Sequence, residues 1–224
     1  MIQLTPDEAR VLGVLIEKAM TTPEQYPLSQ NAVVNGANQK NNRDPIMAMD
    51  DNRAFDALEG LRGKAFLVRL NQAGSRVDKF RHNAGDVLHS RPAELAILAE
   101  LMLRGPQTLG ELRGRASRMQ PFESLETVSN LLTGMMEREE PLARRLAPSP
   151  GSRAERYAQL LAPDSHPLDG TVVREQVAVA REGSVLSLSE RVAQLEDEVA
   201  ALREVIRKFA QGLGESDPFA SSAQ

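Results

Sequence analysis

With 224 residues the chain is long enough for one or two domains, each burying its own core. Aromatic residues make up 4% of it and tryptophan is absent, so a core must be built from Leu, Val, Ala, Met and Ile, which favours helices over a β-sandwich. Cysteine is absent too, which excludes disulfides, thiolate metal sites and a cysteine nucleophile.

The formal net charge of −4 is below what a simple nucleic-acid binder carries. It is also unevenly placed: residues 1–165 hold 21 basic and 21 acidic side chains, whereas residues 166–224 hold 6 and 10. His82, His89 and His166 lie far apart with no ligand spacing, so neither a metal nor a cofactor is expected. The first residues show no basic segment leading into an apolar one, and no apolar run reaches the length of a membrane span. The expectation is a cytoplasmic protein with no membrane contact.

In chain order, Thr5-Pro6-Asp7-Glu8 is a helix start, with a capping Thr, Pro at the first helical position and carboxylates on the N-terminal dipole. Val11, Leu12, Leu15, Ile16 and Ala19 continue at helical spacing until Thr22-Pro23 ends the helix. Leu28-Ser29 opens a second helix that Gly36 ends, and an amide-rich turn follows, Asn38-Gln39-Lys40-Asn41-Asn42-Arg43, closed by Asp44-Pro45. Asp50 or Asp51 caps a third helix with Ala54, Phe55, Leu58 and Leu61 on one face. Phe66 to Leu70 and Val77 to Arg81 then read as two strands around a Gly74-Ser75 turn.

The same order repeats. Arg91-Pro92-Ala93-Glu94 opens a helix that stops at Gly105-Pro106, Thr108 caps a short helix, and Ser124 caps a longer one with Leu125, Val128, Leu131, Leu132 and Met135. Leu142 to Leu146 and Arg156 to Leu161 read as the second pair of strands. Three helices followed by a hairpin is the winged helix-turn-helix layout, so the fold class expected is mainly α with small β-hairpins (α+β). The alternative is a single irregular helical domain with two hairpins. The two winged-helix domains are expected over residues 1–86 and 87–163, followed by a linker over 164–184.

A heptad follows over residues 185–211. Val185, Val192, Val199 and Ile206 fall at a, and Leu188, Leu195, Leu202 and Phe209 at d, a pattern that favours a parallel two-stranded coiled coil. The flanks agree, because Arg191 would face Glu196 of a second copy and Glu198 would face Arg203. Leu188, Val192, Leu195, Val199, Leu202 and Ile206 are the expected homodimer contacts; an amphipathic helix folded back on its own domains is the alternative. Residues 212–224 are expected to be a disordered tail.

For function, the amide-rich turn draws attention first. In a helix-turn-helix protein the turn and the start of the following helix lie closest to DNA. Asn38, Gln39 and Asn42 could read adenine edges, while Lys40 and Arg43 could meet phosphate; equally, asparagines serve turn conformations by themselves. The third helix argues against simple readout, since Asp51, Asp56 and Glu59 accompany only Arg53 and Arg62. The hairpins are basic, with Arg76, Lys79 and Arg81 in the first and Arg153 and Arg156 in the second. No nucleophile–base motif and no phosphate-cradling glycine loop occurs, and Asp50-Asp51 reads as a capping pair, so an enzyme is not expected.

Tyr26-Pro27-Leu28-Ser29, Asn38-Gln39-Lys40, Asn42-Arg43 and Pro45, together with Pro150-Gly151, Arg153, Glu155, Arg156 and Tyr157, resemble the two motifs of the YceH-type family of uncharacterised bacterial proteins. The resemblance covers roughly residues 2–162 and implies a tandem winged-helix fold without implying an activity. Gly36-Ala37 stands where that pattern has Ala-Cys, so a role of that Cys does not transfer. The expectation is a tandem winged-helix DNA-binding protein, in the manner of a transcriptional regulator. The alternative is an interaction module that grips a partner protein.

Overall fold

A computed structural model describes residues 2–71, 77–148 and 151–166, and Arg203. Helix α1 (Pro6–Thr21) begins in a capping box: the Thr5 hydroxyl accepts from the Glu8 N–H at 3.2 Å, and the Glu8 carboxylate accepts from the Thr5 N–H at 2.7 Å. Every residue from Glu8 to Glu17 is buried, so α1 is covered all round rather than on one stripe. Helices α2 (Gln30–Ala37), capped by Ser29, and α3 (Asp51–Gly63), capped by Asp50, pack on it. Strands β1 (Leu67–Leu70) and β2 (Lys79–His82) then pair antiparallel, with Leu67 opposite His82.

After a single turn, α4 (Ala84–Val87), the order recurs. Helix α5 (Pro92–Arg104) is buried from Glu94 to Leu103 and lies against α1. Strand β3 (Gln107–Thr108) precedes α6 (Leu109–Ala116), which opens on a Thr108/Glu111 capping box, and α7 (Leu125–Met136) is capped by Ser124. Strands β4 (Ala143–Leu146) and β5 (Arg156–Gln159) complete a three-stranded antiparallel sheet in the order β3-β5-β4. The first half has a reduced version of β3. Leu28, just before α2, exchanges backbone hydrogen bonds with Phe80 of β2 at 3.1 and 2.7 Å.

Residues 1–169 cluster as one unit, and one apolar cluster runs from Leu4 to Ala162, so both halves contribute to a shared core. The expected boundary at 86/87 falls at α4, whose Ala84 belongs to that cluster. Helices α1 and α5 meet closely: a Cβ added at Gly13 would lie 3.0 Å from Leu103 and 3.4 Å from Met102. The chain ends of the unit are tied as well, with the Leu4 N–H donating to the Leu161 carbonyl at 2.7 Å.

The architecture among the described residues is α+β, as expected, and the caps at Thr5, Ser29, Asp50, Thr108 and Ser124 sit where the residue types place them. Two apolar residues depart from expectation. Phe55 is 48% exposed and Leu125 is 47% exposed. Ala54, Leu58 and Leu61 form the buried row of α3 with Ala57, which leaves Phe55 one residue past the edge of that stripe. Apart from residues 164–166 and Arg203, the expected linker, coiled coil and tail lie outside the described residues, as do the contacts Leu188, Val192, Leu195, Val199, Leu202 and Ile206.

Close packing of α1 on α2 depends on Gly36, where an added Cβ would stand 2.5 Å from Val14 Cγ1. Gly36→Ala should lower unfolding stability by about 1–3 kcal/mol through overpacking. Gly134→Ala, in α7 with nothing within 4 Å of an added Cβ, should raise it by about 0.5–1 kcal/mol. Urea unfolding midpoints read both; equal midpoints for the two variants would contradict the packing described.

Candidate functional site

The turn after α2 is built largely from inward-facing interactions. Asn38, at the C-cap of α2, clamps the chain ahead of α3: its amide donates to the Met49 carbonyl and its carbonyl accepts from the Met49 N–H, both at 2.7 Å. Asn42 adopts φ 63°, a left-handed conformation that Asn tolerates, and its side-chain oxygen accepts a hydrogen bond from Arg104. Gln39 is half-buried, while Lys40 and Asn41 are exposed.

Arg43 does not stand at the surface. Its side chain is 0% exposed, pairs with Glu17 at 2.5 Å, and donates to the Gly36 carbonyl at 3.0 Å and the Asn42 carbonyl at 2.8 Å. The expectation that Arg43 meets phosphate is corrected by this burial, because every donor group is engaged inside the fold. A guanidinium is suited to this, since its planar fork satisfies a carboxylate and two carbonyls together.

Glu17 is shared. Arg118, from the turn between α6 and α7, approaches it at 2.5 Å and also meets Glu100 of α5 at 3.0 Å, while Arg104 meets Glu100 at 2.7 Å. Burial alone would raise the Glu17 pKa, but hydrogen bonding and charge from Arg43 and Arg118 outweigh it and hold the carboxyl below its ordinary value. Just beyond, the Asp44 N–H donates to the Leu103 carbonyl at 2.8 Å, Arg10 donates to the Pro45 carbonyl at 2.7 Å, and a ring nitrogen of His166 lies 2.6 Å from the Asp44 carbonyl. Arg10 is pushed down to about 10, first by burial and then by the charge of Arg43. The turn is therefore fastened to both halves of the unit.

Tyr26 fastens the first hairpin: its hydroxyl accepts from the His82 N–H at 2.6 Å, and burial pushes the phenol up to about 12. Burial, followed by the charge of Arg81, pushes His82 down to about 4, so its ring is neutral at physiological pH.

The basic hairpins are partly neutralised. Arg69 pairs with Asp78, Lys64 with Glu8 at 2.5 Å, and Arg145 with Glu155 at 3.2 Å. Exposed Arg81 and half-buried Lys79 on β2 have no carboxylate partner among the described residues, nor do Arg144 and Arg153 in the second half. Arg156 is half-buried at the start of β5 with its Nε unpartnered, and Arg76 lies outside the described residues. The outer face of α3 carries Asp51, Asp56, Glu59 and Phe55. Its two arginines are taken up locally, Arg53 by Asp7 at 2.7 Å and Arg62 by Glu59 at 2.6 Å. On α7 the exposed residues include Leu125, Glu126, Asn130 and Thr133.

Among the described residues no cluster of His, Asp and Glu could hold a metal ion, and no helix is long and apolar enough to cross a membrane. The residues that sequence reasoning missed are Glu17, Glu100 and Arg104, and Arg118, which reads as one of the basic residues of the second half, pairs with both carboxylates. A signal for two of them was present: Glu17 ends the run over residues 11–16 and Glu100 interrupts the run over residues 95–103, and a carboxylate buried there needs a cation.

Residues 4–152 match a family profile described as "Protein of unknown function, DUF480". The chain is 49% identical over 206 residues to a UPF0502 protein of Pelobacter propionicus, covering 91% of both chains. It is 47% identical over 203 residues to a UPF0502 protein of Geobacter sulfurreducens, covering 90% of each. A UPF0502 protein of Koribacter versatilis is 46% identical over 200 residues, with 89% of this chain and 90% of that one covered.

The Glu17 pair yields a direct test. Arg43→Met leaves a buried carboxylate short of one partner and should cost about 3–5 kcal/mol in urea unfolding. Adding Glu17→Leu removes the stranded charge and should recover much of that loss. A loss below about 1 kcal/mol for Arg43→Met, the range of an exposed pair, would mean that Arg43 is not buried in solution.

Proposed function

The chain belongs to the DUF480/UPF0502 family of uncharacterised bacterial proteins, and from that premise we propose that it is a tandem winged-helix module that grips a partner protein through its third helices. The order of three helices and a hairpin, present in both halves, supports the winged-helix reading, with the short strand β3 of the second half reduced in the first to the bridge between Leu28 and Phe80. In such a layout the third helix is the presented element.

The observation that carries the protein-binding reading is the outer face of α3. Asp51, Asp56 and Glu59 repel phosphate, and the two arginines beside them are paired with Glu59 and Asp7. At the centre stands Phe55, 48% exposed. An aromatic anchor rimmed by carboxylates suits a protein surface with an apolar pocket and basic rim, because apolar burial supplies affinity and charge complementarity supplies register. Leu125 gives α7 a smaller apolar counterpart.

A second reading is favoured by one observation. Lys40, Lys79, Arg81, Arg144 and Arg153 have no carboxylate partner among the described residues, which suits sequence-independent contact with DNA phosphates through the turn and hairpins. On either reading, pairing of two copies through residues 185–211 would present the modules twice.

Two measurements on the full chain separate these readings. Phe55→Arg should abolish co-purification of a stoichiometric protein partner from host cells, while affinity for random duplex DNA stays as in the parent chain. Duplex binding with a log–log salt slope of several times about −0.9, removed by Lys79→Gln and Arg81→Gln and accompanied by unaltered co-purification in Phe55→Arg, would overturn the protein-binding reading.

A further inference from the structure

The end of α1, the amide-rich turn and the α6–α7 turn enclose a polar cleft of about 410 Å3. It is lined by Lys18, by residues 39–42 and by Arg118, with the buried Glu17 completing the wall. We propose that this cleft binds a small molecule carrying a phosphate group, held by Lys18, Lys40 and Arg118 and by the amides of Gln39 and Asn41.

Charge is the first support. Arg43, Arg104 and Arg118 face only Glu17 and Glu100, so the buried network carries one positive charge in excess, and Lys18 and Lys40 at the cleft add two more. Glu17, the acid in the lining, is held by Arg43 and Arg118, which compensates its charge. The Arg118 side chain remains 31% exposed while making both of its ion pairs.

The second support is a division of labour within one short turn. Asn38, Asn42 and Arg43 all have side-chain partners that maintain the fold. Gln39, Lys40 and Asn41, and Lys18 across from them, have none among the described residues, and all four line the same cleft. Amide and ammonium donors around a guanidinium match an anion with several acceptor oxygens. A concave site of this volume suits a small ligand. No residue of α3 takes part, so this inference stands apart from the partner-protein reading.

The test is a titration of the full chain with inorganic pyrophosphate at constant ionic strength, followed by two-dimensional amide NMR. Expected are saturable shifts at residues 18, 39–42 and 118. Lys18→Gln and Lys40→Gln, both surface changes, should each weaken binding by about tenfold, the loss of one charge-assisted hydrogen bond. Lys79→Gln and Phe55→Arg should leave binding unaltered, which separates this site from the surfaces invoked for DNA and protein. Shifts that never saturate, or that saturate equally in the two cleft variants, would overturn the proposal. So would shifts of the same amides by a DNA duplex where pyrophosphate produces none.

Discussion

Glu17 is the constraint on which the rest of the unit depends. A carboxylate buried on the central helix must find cations, and it takes one from each half of the chain, Arg43 from the first turn and Arg118 from the second. Drawing Arg43 inward brings Asn42 into a left-handed conformation, and Asn38 clamps Met49 immediately before the Asp50 cap of α3. The start of the third helix is thus set by a chain of interactions that begins on the first. A buried ion pair of this kind adds little net stability compared with a well-packed apolar pair. What it contributes is register, because Glu17 holds Arg43 of the first turn and Arg118 of the second against the same point on α1.

The same network joins the two halves. Helices α1 and α5 pack through Gly13 and Leu103, and Arg118 bridges Glu17 of one to Glu100 of the other. Two scaffolds with the same element order become one body with one core. Helices α3 and α7 therefore belong to the same unit.

Local chemistry made much of this fold legible. Helix starts were readable because a Ser, Thr or Asp before an apolar row has a specific job on an unpaired N–H. The repeat was readable because those signals recur in order. The two-residue strand β3 and the single bridge at Leu28 were not, since periodicity needs more residues than they contain. The candidate site was less legible still. Arg43 at the tip of a polar turn looks like a surface cation, and only its partner 26 positions earlier in the chain, Glu17, draws it inside. Phe55 next to Ala54 looks like core until the helix is wound and the row Ala54, Leu58, Leu61 is seen to be complete without it.

On the proposed reading the exposed face of α3, rather than the hairpins, meets the macromolecular partner. Site-specific photo-crosslinking in living cells addresses it most directly, with the crosslinker placed in turn at position 55 of α3 and position 81 of β2. A protein adduct of one defined mass is expected from position 55, and no DNA adduct from either. DNA adducts from position 81, with nothing captured from position 55, would contradict that reading.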